Sequence, residues 1–140
     1  MQHMKQHVLV VLLAALLLSG CAAGERIHRP AQGALGPYSA SVEASGLVAV
    51  AGQIAPAAEF EAEVEGALKK VDAELRRAGL GLADVISCTV FLTDMADYKV
   101  FNEIYGRMLA APYPARACVA VKALPGGARV EVQVLAVRPR

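Results

Sequence analysis

Histidine is scarce in this chain: three in 140 residues, with no tryptophan and few aromatics of any kind. His3 and His7 lie at the extreme N-terminus, which leaves His28 alone in the remainder. Hydrolases of the Ser-His-Asp and Cys-His types need an imidazole of near-neutral pKa beside the nucleophile, so both classes are excluded. Zinc takes His, Cys or carboxylate ligands at short spacings. Cys88 and Cys118 stand far apart with no CxxC or HExxH nearby, so no metal site is expected. GxGxxG and phosphate-loop motifs are missing too, which removes the common nucleotide-binding classes. Any catalysis has to rest on arginine, carboxylates, hydroxyls, thiols and backbone groups.

Long hydrophobic runs are lacking except at one place. Val8 to Leu18 is unbroken apolar sequence, preceded by Lys5 as the only formal charge and closed by Ser19 and Gly20. A transmembrane helix needs about 20 apolar residues, so this run is too short to span and has the n-region and h-region order of a secretory signal. Leu18-Ser19-Gly20-Cys21 resembles a bacterial lipobox. The resemblance implies cleavage after residue 20, lipidation of Cys21, a tether over 21–33 and a folded domain over 34–140. With several acyl chains the anchor would be stable, so the membrane is reached through lipid only. Ala22 carries no retention aspartate, which implies a periplasmic address at the outer membrane of a Gram-negative bacterium.

Charge of one sign is absent as well. Without residues 1–20, Lys and Arg fall from 14 to 13 and match the 13 Asp and Glu. Nucleic-acid binding needs a concentrated basic surface, so a neutral domain is not expected to have nucleic acid as a partner. The 120 residues that remain suit one domain with one core. Cys88 and Cys118 both sit in strand-like apolar runs, where a free thiol behaves as a small hydrophobe, although an oxidising compartment would allow them to pair.

What is present alternates between two periods. Glu25 to Gln32 lacks apolar periodicity and reads as linker. Tyr38 to Val42 and Leu47 to Ala51, joined by a turn at Ser45-Gly46 and closed by Gly52, predict a β-hairpin. From Glu59 to Ala78, Phe60, Val64, Ala67, Leu68, Val71 and Leu75 recur at helical spacing, and Gly79 is placed to stop the helix. Ile86 to Thr93 predicts a strand, and Asp94 a cap for a second helix with Val100, Phe101, Ile104, Tyr105 and Met108 inward. Arg116 to Val121, a Leu124-Pro125-Gly126-Gly127 turn, and Val130 to Val137 predict a second hairpin. The order ββαβαββ predicts an α+β two-layer sandwich, a mixed β-sheet covered on one face by two helices.

Charged residues inside strands need a reason, because burying a charge unpaired is costly. Arg116 and Glu131 are those residues. Arg116 follows Pro112 and Pro114, which restrict the backbone before it. An even-numbered hairpin loop would line Cys118, Ala120, Glu131 and Gln133 along one face with Arg116 extending the row; an odd one would separate them. Glu131 could equally be the structural partner of Arg116 or Arg129, Tyr38 an ordinary packed aromatic, and Asn102 a structural hydrogen-bonding residue.

Gly36-Pro37-Tyr38-Ser39, Gly52-Gln53-Ile54, Asn102-Glu103-Ile104-Tyr105, and Tyr113-Pro114-Ala115-Arg116-Ala117-Cys118-Val119 followed by Val130-Glu131-Val132 resemble the RidA/YjgF family from about Ala34 to Arg138. The resemblance implies a chorismate-mutase-like fold and a homotrimer with clefts between neighbouring subunits. It also implies hydrolysis of small enamine or imine acids, of the 2-aminoacrylate type, to 2-oxo acids and ammonia without a cofactor. Arg116 would hold the substrate carboxylate, Glu131 would orient or deprotonate water, and Tyr38, Gly52, Asn102 and the backbone around Cys118 would complete the substrate site. Ala51 stands where many relatives have serine, Glu63 and Ala40 where glutamine is common, and the stretch from Ile54 to Phe60 is short. A reading of a different class keeps the same arginine cleft but only captures a small carboxylate, as a lipid-tethered binding module without turnover.

Overall fold

A computed structural model describes residues 24–139. The expected signal segment and Cys21 lie outside the described residues. Eight strands and helices follow in the order β1 (Ile27–Pro30), β2 (Ser39–Ala44), β3 (Leu47–Gln53), α1 (Phe60–Arg77), β4 (Val85–Leu92), α2 (Tyr98–Met108), β5 (Ala115–Ala120) and β6 (Val130–Val137). The strands form one mixed sheet ordered β1-β2-β3-β6-β4-β5, in which only β4 and β5 run parallel. This is the expected α+β sandwich, with one strand more than the sequence pattern suggested.

The helices form because their apolar residues recur at three and four, and they stay because that stripe is buried. Val64, Ala67, Leu68, Val71 and Leu75 of α1 are at most 1% exposed, as are Phe101 and Ile104 of α2. They meet Val48 and Val50 of β3, Val90 and Leu92 of β4, and Val130, Val132, Val134 and Ala136 of β6. Gly79, at φ 72°, takes the left-handed conformation that ends α1. Between β2 and β3, Ser45 and Gly46 both have positive φ, 51° and 78°, as a tight hairpin turn requires. Asp94 does cap, but it caps the short 3-10 turn Met95–Asp97 that leads into α2, accepting from the Ala96 N–H at 2.8 Å.

Two expectations need correction. The stretch read as linker contains β1, which pairs antiparallel with β2 from Ile27↔Glu43 to Pro30↔Ser39, so the fold begins before residue 34. Arg29 secures this edge by donating to Glu43 at 2.7 Å, and Arg138 donates to the same carboxylate at 2.8 Å from the other side. The second correction concerns the last two strands, which do not form a hairpin. β6 enters the sheet between β3 and β4, while β5 lies beyond β4 at the edge. The connection from Val121 to Arg129 is nine residues, longer than a hairpin loop and long enough to pass β4.

Candidate functional site

The strand order decides which side chains can meet. Cys88 pairs with Arg116 and Val90 with Cys118, so Arg116 and Cys118 share the helix-covered face with the core. Phe91 pairs with Glu131 and Thr89 with Gln133 on the opposite face. Arg116 and Glu131 of one chain are therefore on opposite sides of the sheet. The even-loop arrangement, in which one row would hold both, is not the one the fold adopts, because β4 stands between the two strands.

Arg116 emerges at the edge of the sheet onto α2. Its Nη2 donates to Asn102 Oδ1 at 2.6 Å, with the Tyr98 hydroxyl 3.4 Å away. The guanidinium carbon lies 4.7 Å from the centroid of the Tyr105 ring, 5.5 Å from Phe101 and 5.8 Å from Tyr98. A cation over aromatic faces is attracted by the ring quadrupole, so the stripe Tyr98-Phe101-Asn102-Tyr105 holds this side chain in place. Among the described residues no carboxylate lies within ion-pair distance of Arg116, whereas Arg29, Arg129 and Arg138 each pair with a glutamate. A half-exposed, oriented guanidinium without an anion is a ready site for a carboxylate. Arg116, Asn102 and Tyr105 line a cleft of about 400 Å³ with Gly106, Tyr113 and Pro114.

Glu131 projects from β6 over the backbone of β3, where the register shifts between Val50 and Gln53. Gly52 lies directly beneath it: a methyl group there would collide with the carboxylate, 2.6 Å from Cδ. Glycine is thus needed at 52 for close approach, which accounts for its place after the strand. With Tyr38, Gly52, Leu35, Ala51, Ile54 and Pro125, Glu131 lines a second cleft of about 320 Å³. Tyr38 is 49% exposed at the cleft mouth and is no packed core residue. Glu131 is not the partner of Arg129 either.

Arg129 instead meets Glu63, the most deeply buried carboxylate, at 1% exposure. Glu63 accepts from the Arg129 backbone N–H at 2.6 Å and from its Nε at 2.9 Å, while Nη2 donates to the Ala57 and Ala58 carbonyls at 2.9 and 3.2 Å. This clamp ties the start of α1 to both loops beside Glu131. Sequence reasoning noted Glu63 only as a departure from glutamine and missed its partner. It also missed Tyr98 as a support of Arg116, although the helical stripe with Phe101, Asn102 and Tyr105 was visible.

The two thiols are held toward their neutral form. Burial pushes Cys88 up to about 11, opposed in part by the Tyr105 hydroxyl and by Arg116, and burial raises Cys118, which Arg116 opposes in part. Burial likewise pushes the Tyr105 phenol far above its ordinary range. Both cysteines are free. They stand on neighbouring strands two positions out of register, a diagonal of roughly 7–8 Å, too long for a disulfide. β5 is an edge strand, so backbone groups around Cys118 on its outer side have no strand to pair with. Among the described residues no cluster of His, Cys, Asp or Glu could hold a metal ion.

A mixed sheet with two helices on one face, an arginine cleft at its edge and a carboxylate cleft on its other side defines an α+β domain of the RidA type. Residues 27–138 match the family described as Endoribonuclease L-PSP. The chain is 42% identical over 113 residues to a RutC family protein of Sinorhizobium fredii, covering 75% of this chain and 90% of that one. It is 38% identical over 117 residues to the 2-iminobutanoate/2-iminopropanoate deaminase of Mus musculus, covering 77% and 86%. Among solved structures, RidA from the Antarctic bacterium Psychrobacter sp. PAMC 21119 superposes with TM-score 0.73 at 34% identity, covering 84% of this chain and 99% of that one. The YjgF gene product of E. coli gives 0.73 at 31%, covering 78% and 94%. The chain belongs to the RidA/YjgF family, whose members include named imine deaminases.

Proposed function

We propose that this protein hydrolyses small enamine or imine acids in a cleft between two copies of the chain. Arg116 of one copy holds the substrate carboxylate, and Glu131 of the next, with Gly52 and Tyr38 beside it, handles the water. The observation that carries the reading is the Arg116 guanidinium, oriented by Asn102 and three rings and, among the described residues, left without a protein anion. The facing requirement supports the intersubunit cleft: one chain presents Arg116 and Glu131 on opposite sides of its sheet. The face away from the helices bears Leu47, Val119 and Val137 at 41%, 44% and 38% exposure, apolar surface suited to further copies in a closed trimer.

The chemistry asks little of the protein. An enamine acid tautomerises to the imine, whose carbon is electrophilic. Glu131 takes a proton as water adds to that carbon, then returns a proton to nitrogen, and the carbinolamine collapses to a 2-oxo acid and ammonia. Positioning and one acid–base group are enough to accelerate a reaction that is already spontaneous. By the lipobox reading, the trimer would work tethered through Cys21 in the periplasm.

The test is turnover. With 2-aminoacrylate generated in situ from serine by a dehydratase, the purified protein should accelerate ammonia release, and Arg116→Ala should reduce that acceleration by roughly a hundredfold, the scale of one charged transition-state contact. Carboxylate binding without any acceleration would replace the hydrolase by a tethered binding module.

A further inference from the structure

The chain has four tyrosines and three phenylalanines, and four of these seven rings gather around one arginine. Tyr98, Phe101 and Tyr105 stack under the guanidinium from α2. Tyr113 is different. It comes from the segment before β5, is 55% exposed, and leans on Tyr105 at 6.2 Å between centroids with an interplanar angle of 37°. It takes no part in the hold on Arg116, yet it walls the same cleft.

The rest of that cleft mixes ring faces with polar groups, among them the Tyr105 hydroxyl, which is buried without a hydrogen-bond partner. Gly106 contributes no side chain, and the Tyr113 hydroxyl lies 3.6 Å from where its Cβ would stand. Pro114 has no N–H to offer, and the Asn102 oxygen is already taken by Arg116. The Glu131 cleft sets Leu35, Ala51, Ile54 and Pro125, with Tyr38, around a single carboxylate. A ligand whose carboxylate sits on Arg116 can extend its α-substituent past the exposed Tyr113 ring, which lines the same cleft.

We propose that Tyr113 is a substrate-binding residue and that the cleft favours 2-imino and 2-oxo acids with an aryl side chain. This rests on Arg116 as the carboxylate holder in the proposed function. Ring-on-ring contact favours offset or tilted stacking, which the exposed Tyr113 face permits and an aliphatic wall would not supply.

Calorimetric titration of the intact protein with phenylpyruvate and with pyruvate tests it without requiring turnover. Phenylpyruvate should bind at least about tenfold tighter than pyruvate, the scale of one well-packed aromatic contact. Tyr113→Phe, which keeps the ring, should preserve the preference, and Tyr113→Ala should bring the two affinities to near parity. A preference that survives Tyr113→Ala, equal binding of the two acids by the unaltered protein, or binding of neither would overturn the proposal. A Tyr113-dependent preference in a protein that fails to accelerate imine hydrolysis would instead uphold the aryl site and remove the hydrolase.

Discussion

Gly52 offers a one-atom test of the Glu131 cleft. Its missing side chain is the space the carboxylate occupies, so Gly52→Ala must push Glu131 aside. We expect imine turnover to fall at least about tenfold, in line with the cost of misplacing a reacting group by an ångström, while circular dichroism and the melting temperature change little. Glu43 makes a different prediction. Hydrogen bonds from Arg29 and then Arg138 hold its carboxyl below the ordinary range. A depressed folded-state pKa adds stability that is complete above the unfolded value and drains as pH falls through the folded one. Melting curves from about pH 7 to about pH 3 should therefore show an acid loss that Glu43→Gln flattens, with that variant the less stable of the two at neutral pH. At this scale the sequence was informative at Arg116 and Glu131, charges that sit inside a strand pattern. It was silent where the partner is distant in sequence: Glu43 meets Arg138 and Glu63 meets Arg129 only because the sheet and α1 bring them together.

Periodicity made the elements legible. The helix expected over Glu59 to Ala78 is Phe60–Arg77, and the strand over Val130 to Val137 has those bounds. Pairing was less legible, since alternation reports which side of a strand is buried and says nothing about its neighbour. The false hairpin came from joining consecutive strands. The corrective signals were a nine-residue connection and a β4-α2-β5 succession, which as a strand–helix–strand unit calls for parallel pairing. β1 escaped notice because four residues containing Arg29 and Pro30 carry no alternation of their own. One test belongs to this scale: the Glu63–Arg129 clamp joins α1 to the loops flanking the Glu131 cleft. Glu63→Ala leaves the Arg129 backbone N–H without its acceptor and the guanidinium without its carboxylate, and should cost about 1–3 kcal/mol in urea unfolding. Glu63→Gln keeps an acceptor for the backbone N–H and should lose clearly less.

For the whole molecule, the topology that corrected the hairpin also sets the condition for function. With β4 between β5 and β6, a single chain has an arginine cleft and a carboxylate cleft that never face each other. In the proposed closed ring of three identical subunits, every cleft would take Arg116 from one chain and Glu131 from its neighbour. That is the central claim, and mixing subunits tests it most directly. Arg116→Ala and Glu131→Gln chains, each inactive alone, are unfolded together and refolded at equal concentration, and imine hydrolysis is then measured. One cleft in four receives both intact residues by chance, so about a quarter of the unaltered activity should return. Mixed oligomers as inactive as their parents would contradict a site shared between chains.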